Sequence, residues 1–290
     1  MKAKKISIPD NLTSIDEVLE ATNMMWIAEQ HELITGSGIN VPNHKAIVRA
    51  DNKAVLGIVG QNYQPVQNTT AFAFLDTLVQ KNKAVYENVF EVDNGSRMIV
   101  QAKLDNDFDV RAGDTVASYI TMMNSFDGST PFKVFFTPIR LFCTNQLTRA
   151  WRSKADSITI KHTANVEAKA DEAFKVLCAA QKYFEQFKVQ SIIMAQKILD
   201  KKMVENFISS IFNEEEKRST KTYNIIDEVL ELSENGKGNN GNTVWDLYNG
   251  VTEYVDWYRG KDDDKRIASA LLGSGNALKD KAWVAAVNLC

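Results

Sequence analysis

The spacing of apolar residues in this 290-residue chain changes near Thr163, and that change restricts the fold more than any other feature. Before it, short β-branched runs flank turn residues. AIVRADNKAVLGIV brackets Asp51-Asn52-Lys53, VYENVFEVDNGSRMIVQAKL brackets Asn94-Gly95, and SYITMMNSFDGSTPFKVFFTPIRLF brackets Asp127-Gly128. Each is a hairpin signature, and Asn-Gly supplies the positive backbone angles of a two-residue type I′ turn. In the second of these, Met98, Val100, Ala102 and Leu104 alternate with Arg97, Gln101 and Lys103, so one sheet face is core and the other is free to bind. After Thr163, Phe174, Leu177, Gln181 and Phe184 recur at helical spacing. The predicted class is therefore α+β: a central antiparallel sheet of hairpins with flanking helices, followed by a mainly helical C-terminal half. The natural division is 1–163 and 164–290.

Local signals refine this outline. Ser14 and Glu17 form a capping box, and an amphipathic run follows to about Ile34, predicting an opening helix. Asn68 caps a second helix in which Phe72, Leu75 and Val79 share a face. NGKGNNG, from Asn235 to Gly241, is the most loop-like stretch and is expected to be mobile.

The three cysteines, Cys143, Cys178 and Cys290, are widely spaced and lack a CxxC pair, as in a reducing compartment. The lysine-containing start has no apolar stretch after it that would make a secretory signal, and no run approaches a membrane span. A soluble, cytoplasmic protein with no membrane partner is expected. A net charge of −3 excludes a globally basic nucleic-acid coat, but the charge is uneven. Pro131 to Lys169 holds seven basic residues and two acids, whereas Asp200 to Asp264 holds fifteen acids and eight bases.

A search for chemistry is largely negative. His31, His44 and His162 stand alone, without the spacing of a metal site, and Cys143 lies in an apolar run that suits a buried small hydrophobe. GSGNALK, at 273–279, lacks the phosphate-loop spacing and reads as a loop between helices. Glu214–Glu216 and Asp262–Asp264 read as solvated surface. No cofactor, metal or enzymatic activity is expected.

What remains is the basic segment, in which cations are interleaved with aromatics and amides. Lys133, Arg140, Arg149, Arg152, Lys154, Lys161 and His162 could meet phosphates, Trp151 offers a stacking face, and Asn145 and Gln146 offer hydrogen bonds. An ordinary exposed helix with scattered charges accounts for the same composition.

Several blocks carry a resemblance: VLGIVGQNYQPVQN (55–68), NSFDGSTPFKVFFTPIRLFCTNQL (124–147), ITIKHTANVEAK (158–169), NTVWDLYNGVTEYVDW (242–257) and LLGSGNALKDKAW (271–283). In content and order they resemble the phage/plasmid-like family catalogued as domain of unknown function 932. The chain departs from that pattern at Lys161, where the family commonly has arginine, so the planar fork of a bidentate phosphate contact is missing. The resemblance implies a setting in bacterial mobile elements and names no activity. The expected architecture also looks like the core of Rad52-like single-strand annealing proteins, an analogy of fold alone. It implies subunits in a ring or filament, a basic groove for single-stranded DNA, and a role in annealing beside a replication or recombination protein. A protein-interaction factor for host takeover or anti-defence is the other class; in it the TPIRLFCTNQL stretch is a buried strand whose arginines pair with acids of the helical half. An enzyme gathering Asp127, Asp156 and His162 around a metal is the third.

Overall fold

The computed structural model describes residues 1–79, 83–130, 132–141, 145–146, 157–158, 166–212 and 219–290, with side chains at all of these except 74, 145, 146, 157, 158, 166–174 and 176. The architecture is α+β. Antiparallel sheets occupy the N-terminal half, and helices occupy the C-terminal half. The chain divides into two compact units that interleave along the sequence. The first comprises Met1–Asp105, Tyr119–Phe135 and Ser153–Ala179, and the second comprises Asn106–Ser118, Phe136–Arg152 and Ala180–Cys290.

In the first unit, Ser14 and Glu17 close the predicted capping box, but helix α1 (Ile15–Ala21) ends early. Asn23 turns the chain in the left-handed region, and residues predicted as helix become strand β2 (Ala28–Ile34). Pairing overrides local preference here, because β2 forms a ladder with β3 (Asn40–Arg49) and Gln67 bonds both backbone groups of Ala28. Strand β4 (Val55–Gly60) completes a three-stranded sheet around the predicted turn, with Lys53 in the left-handed region. A bulge between Ile47 and Val48 brings Val55 and Ile58 onto one face, where they are 64% and 58% exposed. Helix α2 (Asn68–Val79) forms where predicted, but Asn68 is its first residue rather than its cap: its side-chain amide donates to the Met24 carbonyl and accepts from Asn124.

The larger sheet runs β1 (Ala3–Ile6), β5 (Ala84–Val92), β6 (Arg97–Leu104), β8 (Asp114–Ser125), β9 (Lys133–Arg140) and β10 (Asn145–Gln146). Strand β7 (Phe108–Arg111) pairs with β8, and β11 (Ser157–Ile158) with β9. The turn joining β5 to β6 is longer than the predicted two residues: Asp93, Asn94 and Gly95 are all left-handed. A side chain at Gly95 would meet the Trp26 ring at 2.7 Å, which explains why the turn carries glycine there. The second face of β6 is not free at its centre. Gln101 is 0% exposed, sharing hydrogen bonds with Asn88 and Thr121 on the neighbouring strands. This buried polar ladder corrects the expectation of an open binding face and satisfies groups that would otherwise be costly to bury.

The second unit is built on aromatic packing. Helix α3 (Val166–Gln196) contributes Tyr183, Phe184 and Phe187, and Phe187 stacks on Trp283 with ring centres 4.4 Å apart. Trp283 lies on α8 (Ser274–Asn288) and meets Tyr248 of α6 (Val244–Glu253) edge to face. Helices α4 (Lys201–Ile211), α5 (Thr220–Asn235) and α7 (Asp263–Leu272) surround this centre. Gly250 lets α6 approach α5, since a Cβ there would stand 2.5 Å from the Val229 carbonyl oxygen. The GSGNALK stretch is almost wholly helical: Gly273 alone separates α7 from α8, and Lys279 is buried against Asp256, 2.7 Å away. No described helix is long and apolar enough to cross a membrane.

Candidate functional site

Arg140, the last residue of β9, is the centre of the most connected polar cluster among the described residues. Its side chain is 0% exposed and belongs to the second unit. Nε and Nη2 donate to the two carboxylate oxygens of Asp114 at 2.5 and 2.6 Å. Nη2 also donates to the Gly238 carbonyl at 2.7 Å, and Nη1 to the Lys237 carbonyl at 3.1 Å and to Asn239 Oδ1 at 2.8 Å. A guanidinium has five N–H donors, and these five bonds use them all.

The turn that joins β7 to β8 supplies the other half of the cluster. Gly113 adopts φ +78° there, so Arg111 and Asp114 face each other across a tight corner. Arg111 lies 3.3 Å from Asp114 and 2.6 Å from Asp246, and also donates to the Gly238 carbonyl. Asp246 sits in the first turn of α6, where it accepts from the Thr243 hydroxyl while Thr243 caps the helix. Trp245 Nε1 donates to Asp114 at 2.9 Å. Arg140, Asp114 and Asp246 are out of water and Arg111 is partly exposed; with a tryptophan edge and one loop they satisfy one another, the arrangement a buried ion pair requires. Beside them Glu253 is buried with the Lys237 N–H as donor at 3.2 Å; burial pushes its carboxyl above the usual range, partly offset by that bond.

Two expectations change. Arg140 is not available to a phosphate, because it is buried and its donors are occupied. The 235–241 stretch, expected to be mobile, is held through two carbonyls and Asn239, which also donates to the Leu232 carbonyl. Of the other candidates, Lys133 opens β9 and is partly exposed. Arg149, Trp151, Arg152, Lys154 and Lys161 lie outside the described residues, as do Asp156 and His162 and the structural surroundings of Cys143. The backbone flanking them is described: Asn145 and Gln146 pair with Arg140 and Ile139, and Ser157 and Ile158 pair with Phe135 and Val134.

In the first unit, Asp127 of the predicted Asp-Gly turn accepts from Arg97 at 2.8 and 3.0 Å, from the Ser125 hydroxyl at 2.6 Å and from the Ser129 N–H at 2.8 Å. Burial alone would raise its pKa, but these bonds hold it below the usual carboxylate range. Its oxygens serve the turn. Among the described residues no group of three or more His, Cys, Asp or Glu side chains converges as a metal site.

The partners of Arg140 escaped the sequence reading because they lie 26 to 99 residues away, with no local spacing to mark them. The usable signal was weaker: an arginine in an otherwise apolar run, in a chain with a glycine-rich loop. Comparison with curated proteins and with solved structures finds no match. The family profile described as "Domain of unknown function (DUF932)" matches residues 55–272, three quarters of the chain, and spans both units. The protein belongs to that family.

Proposed function

We propose that the protein binds single-stranded DNA through the segment that follows β9, as a phage or plasmid factor that promotes annealing in recombination. The observation behind this reading is the pairing of both flanks of residues 147–156 with β9, a strand buried along most of its length. That stretch contains Arg149, Trp151, Arg152 and Lys154, with Lys161 close behind. Binding residues carried between anchored ends lose less entropy on engaging a ligand than residues on a free tail. Cations beside an aromatic ring suit a backbone of phosphates with bases free to stack. Lys133 remains in the proposed contact set and Arg140 leaves it.

The test is binding to fluorescent single-stranded and double-stranded DNA over a salt series, with complementary strand added last. The expected result is preference for single strands, loss of affinity as salt rises, accelerated pairing, and loss of both activities in Arg149→Ala/Arg152→Ala. A folded sample that fails to bind at low salt refutes the reading.

A second reading, a protein-interaction factor, has its own support. Arg140 is structural, and Val55 and Ile58 expose an apolar strip on the three-stranded sheet. Binding to DNA unaffected by the double substitution, together with association lost on Ile58→Asp, would favour it.

A further inference from the structure

We infer that the outward face of the three-stranded sheet, with the arm formed by its β2–β3 hairpin, is where a second copy of this chain docks about a two-fold axis. The inference rests on the protein-interaction reading of Val55 and Ile58 and names its partner; every residue involved belongs to the first unit. Residues opposite each other in a ladder share a face. Ile58 stands in a row with Ala46 and His31, and Val55 in a row with Val48 and Glu29. Ile27, two residues before Glu29 and bonded through its carbonyl to the Ala50 N–H, falls on the same face and is 57% exposed. Gly57 lies on the opposite face, against the Asp127 turn. A Cβ at Gly60, two residues beyond Ile58, would meet nothing within 4 Å, and its backbone is not left-handed. Neither packing nor conformation within the chain calls for glycine there, and its absence of side chain leaves room for another backbone to come close.

The arm is uncovered in the same way. Beyond the His44–Gly60 pair, β3 is bonded only to β2 among the described strands, and none of residues 31–45 is buried. A two-stranded ribbon is marginally stable alone in water, yet this one holds Ile34 and Ile39 at its tip, 59% and 65% exposed. Charge complementarity points to a second copy as the occupant. Leu33 to Asn43 includes no charged residue, while Glu29 lies between His31 at 3.2 Å and Lys53 at 3.6 Å, opposite signs side by side on a half-exposed rim. A two-fold axis parallel to the strands lays β2 of one copy over β4 of the other, so that Glu29 faces Lys53 across the interface and the uncharged tips meet each other. A nucleic-acid strand would find no surplus of cations on this face. Size agrees: the fifteen residues of the arm, with the exposed side chains of the face, reach the about 20–30 residues a side of a stable interface.

The experiment is sedimentation equilibrium of the full chain from about 1 to 100 μM, on variants checked for fold by far-UV circular dichroism. The expected result is a reversible dimer. Ile58→Asp and Ile39→Asp should each weaken it about a hundredfold, since each places an unpaired carboxylate in the interface twice over. Val85→Asp, at a residue 56% exposed on β5, should leave it unchanged. Glu29→Lys and Lys53→Glu should each weaken it about tenfold, and mixing the two variants should restore wild-type association, because opposite charges then meet only between copies. A monomer throughout the range, a ring or filament in place of a dimer, a dimer indifferent to Ile58→Asp, or a mixture that fails to recover would overturn the inference. If the wild-type chain is monomeric but loses association with a different protein on Ile58→Asp, the second-copy inference falls and the protein-interaction reading stands.

Discussion

Arg97 with Asp127 in the first unit and Arg140 with Asp114 in the second use the same two side chains for different ends. Arg97 is 20% exposed and places both its bonds to Asp127 on one carboxylate oxygen, leaving the other for the turn. Arg140 is fully buried, engages both oxygens of Asp114, and spends its remaining donors on a loop about a hundred residues away. The first pair stabilises a local turn and retains some hydration. The second joins strand ends to a helix start and has no water to fall back on. Identical chemistry thus has different consequences, and the number of satisfied donors decides which.

That contrast can be broken experimentally. The largest effect is expected for Asp114→Ala, which leaves two arginines facing a buried void. A loss of about 3–5 kcal/mol, read from urea unfolding, matches an uncompensated buried charge. Hydrogen exchange should locate the weakening in the second unit, and a loss below about 1 kcal/mol would show that water reaches Arg140. Asp127→Ala removes bonds from Arg97, Ser125 and Ser129 but leaves Arg97 partly solvated, so about 1.5–3 kcal/mol is expected, with faster exchange at Ser129. Gly57→Ala probes the same turn by shape: a Cβ there would lie 2.5 Å from the Asp127 Cα. A loss of about 1–3 kcal/mol follows if the backbone cannot yield.

The smallest effect sharpens the electrostatic side of the comparison. Glu253 has its carboxyl pushed up by burial, so the folded state favours the neutral acid. Its contribution to stability is full below the ordinary carboxylate pKa and is lost as pH rises through the raised value. Glu253→Gln keeps an acceptor for the Lys237 N–H and removes the titration. The urea midpoint of the variant should hold level relative to wild type below the ordinary carboxylate pKa and exceed it once the pH has risen past the raised value, and an unchanged difference across the range would place the linkage elsewhere.

The elements that sequence made legible are those with a local cause. The Ser14 cap, the turn at Asp51–Lys53 and the helical half each follow from residues within a few positions of one another. The failures share a different cause. Residues 28–34 carry a helix-compatible pattern and become a strand because β3 offers a ladder; Gln101 looks like a solvent-facing residue and is buried because Asn88 and Thr121 satisfy it. The candidate site divides in the same way. The charge of the 131–169 segment is a fact of sequence, whereas the removal of Arg140 from the surface set required Asp114, Lys237, Gly238 and Asn239 to arrive from elsewhere.

By itself the sequence determined the α+β class, a sheet-bearing half followed by a helical half, the uneven charge and the blocks that mark the family, because these depend on periodicity and on neighbours along the chain. Only the tertiary structure decided which faces of the sheet are buried, where the opening helix stops, and that Arg140 is a tie within the second unit. Burial and ion pairing depend on which distant groups meet, and a side chain's donors can be counted as free or used only once those groups are in place.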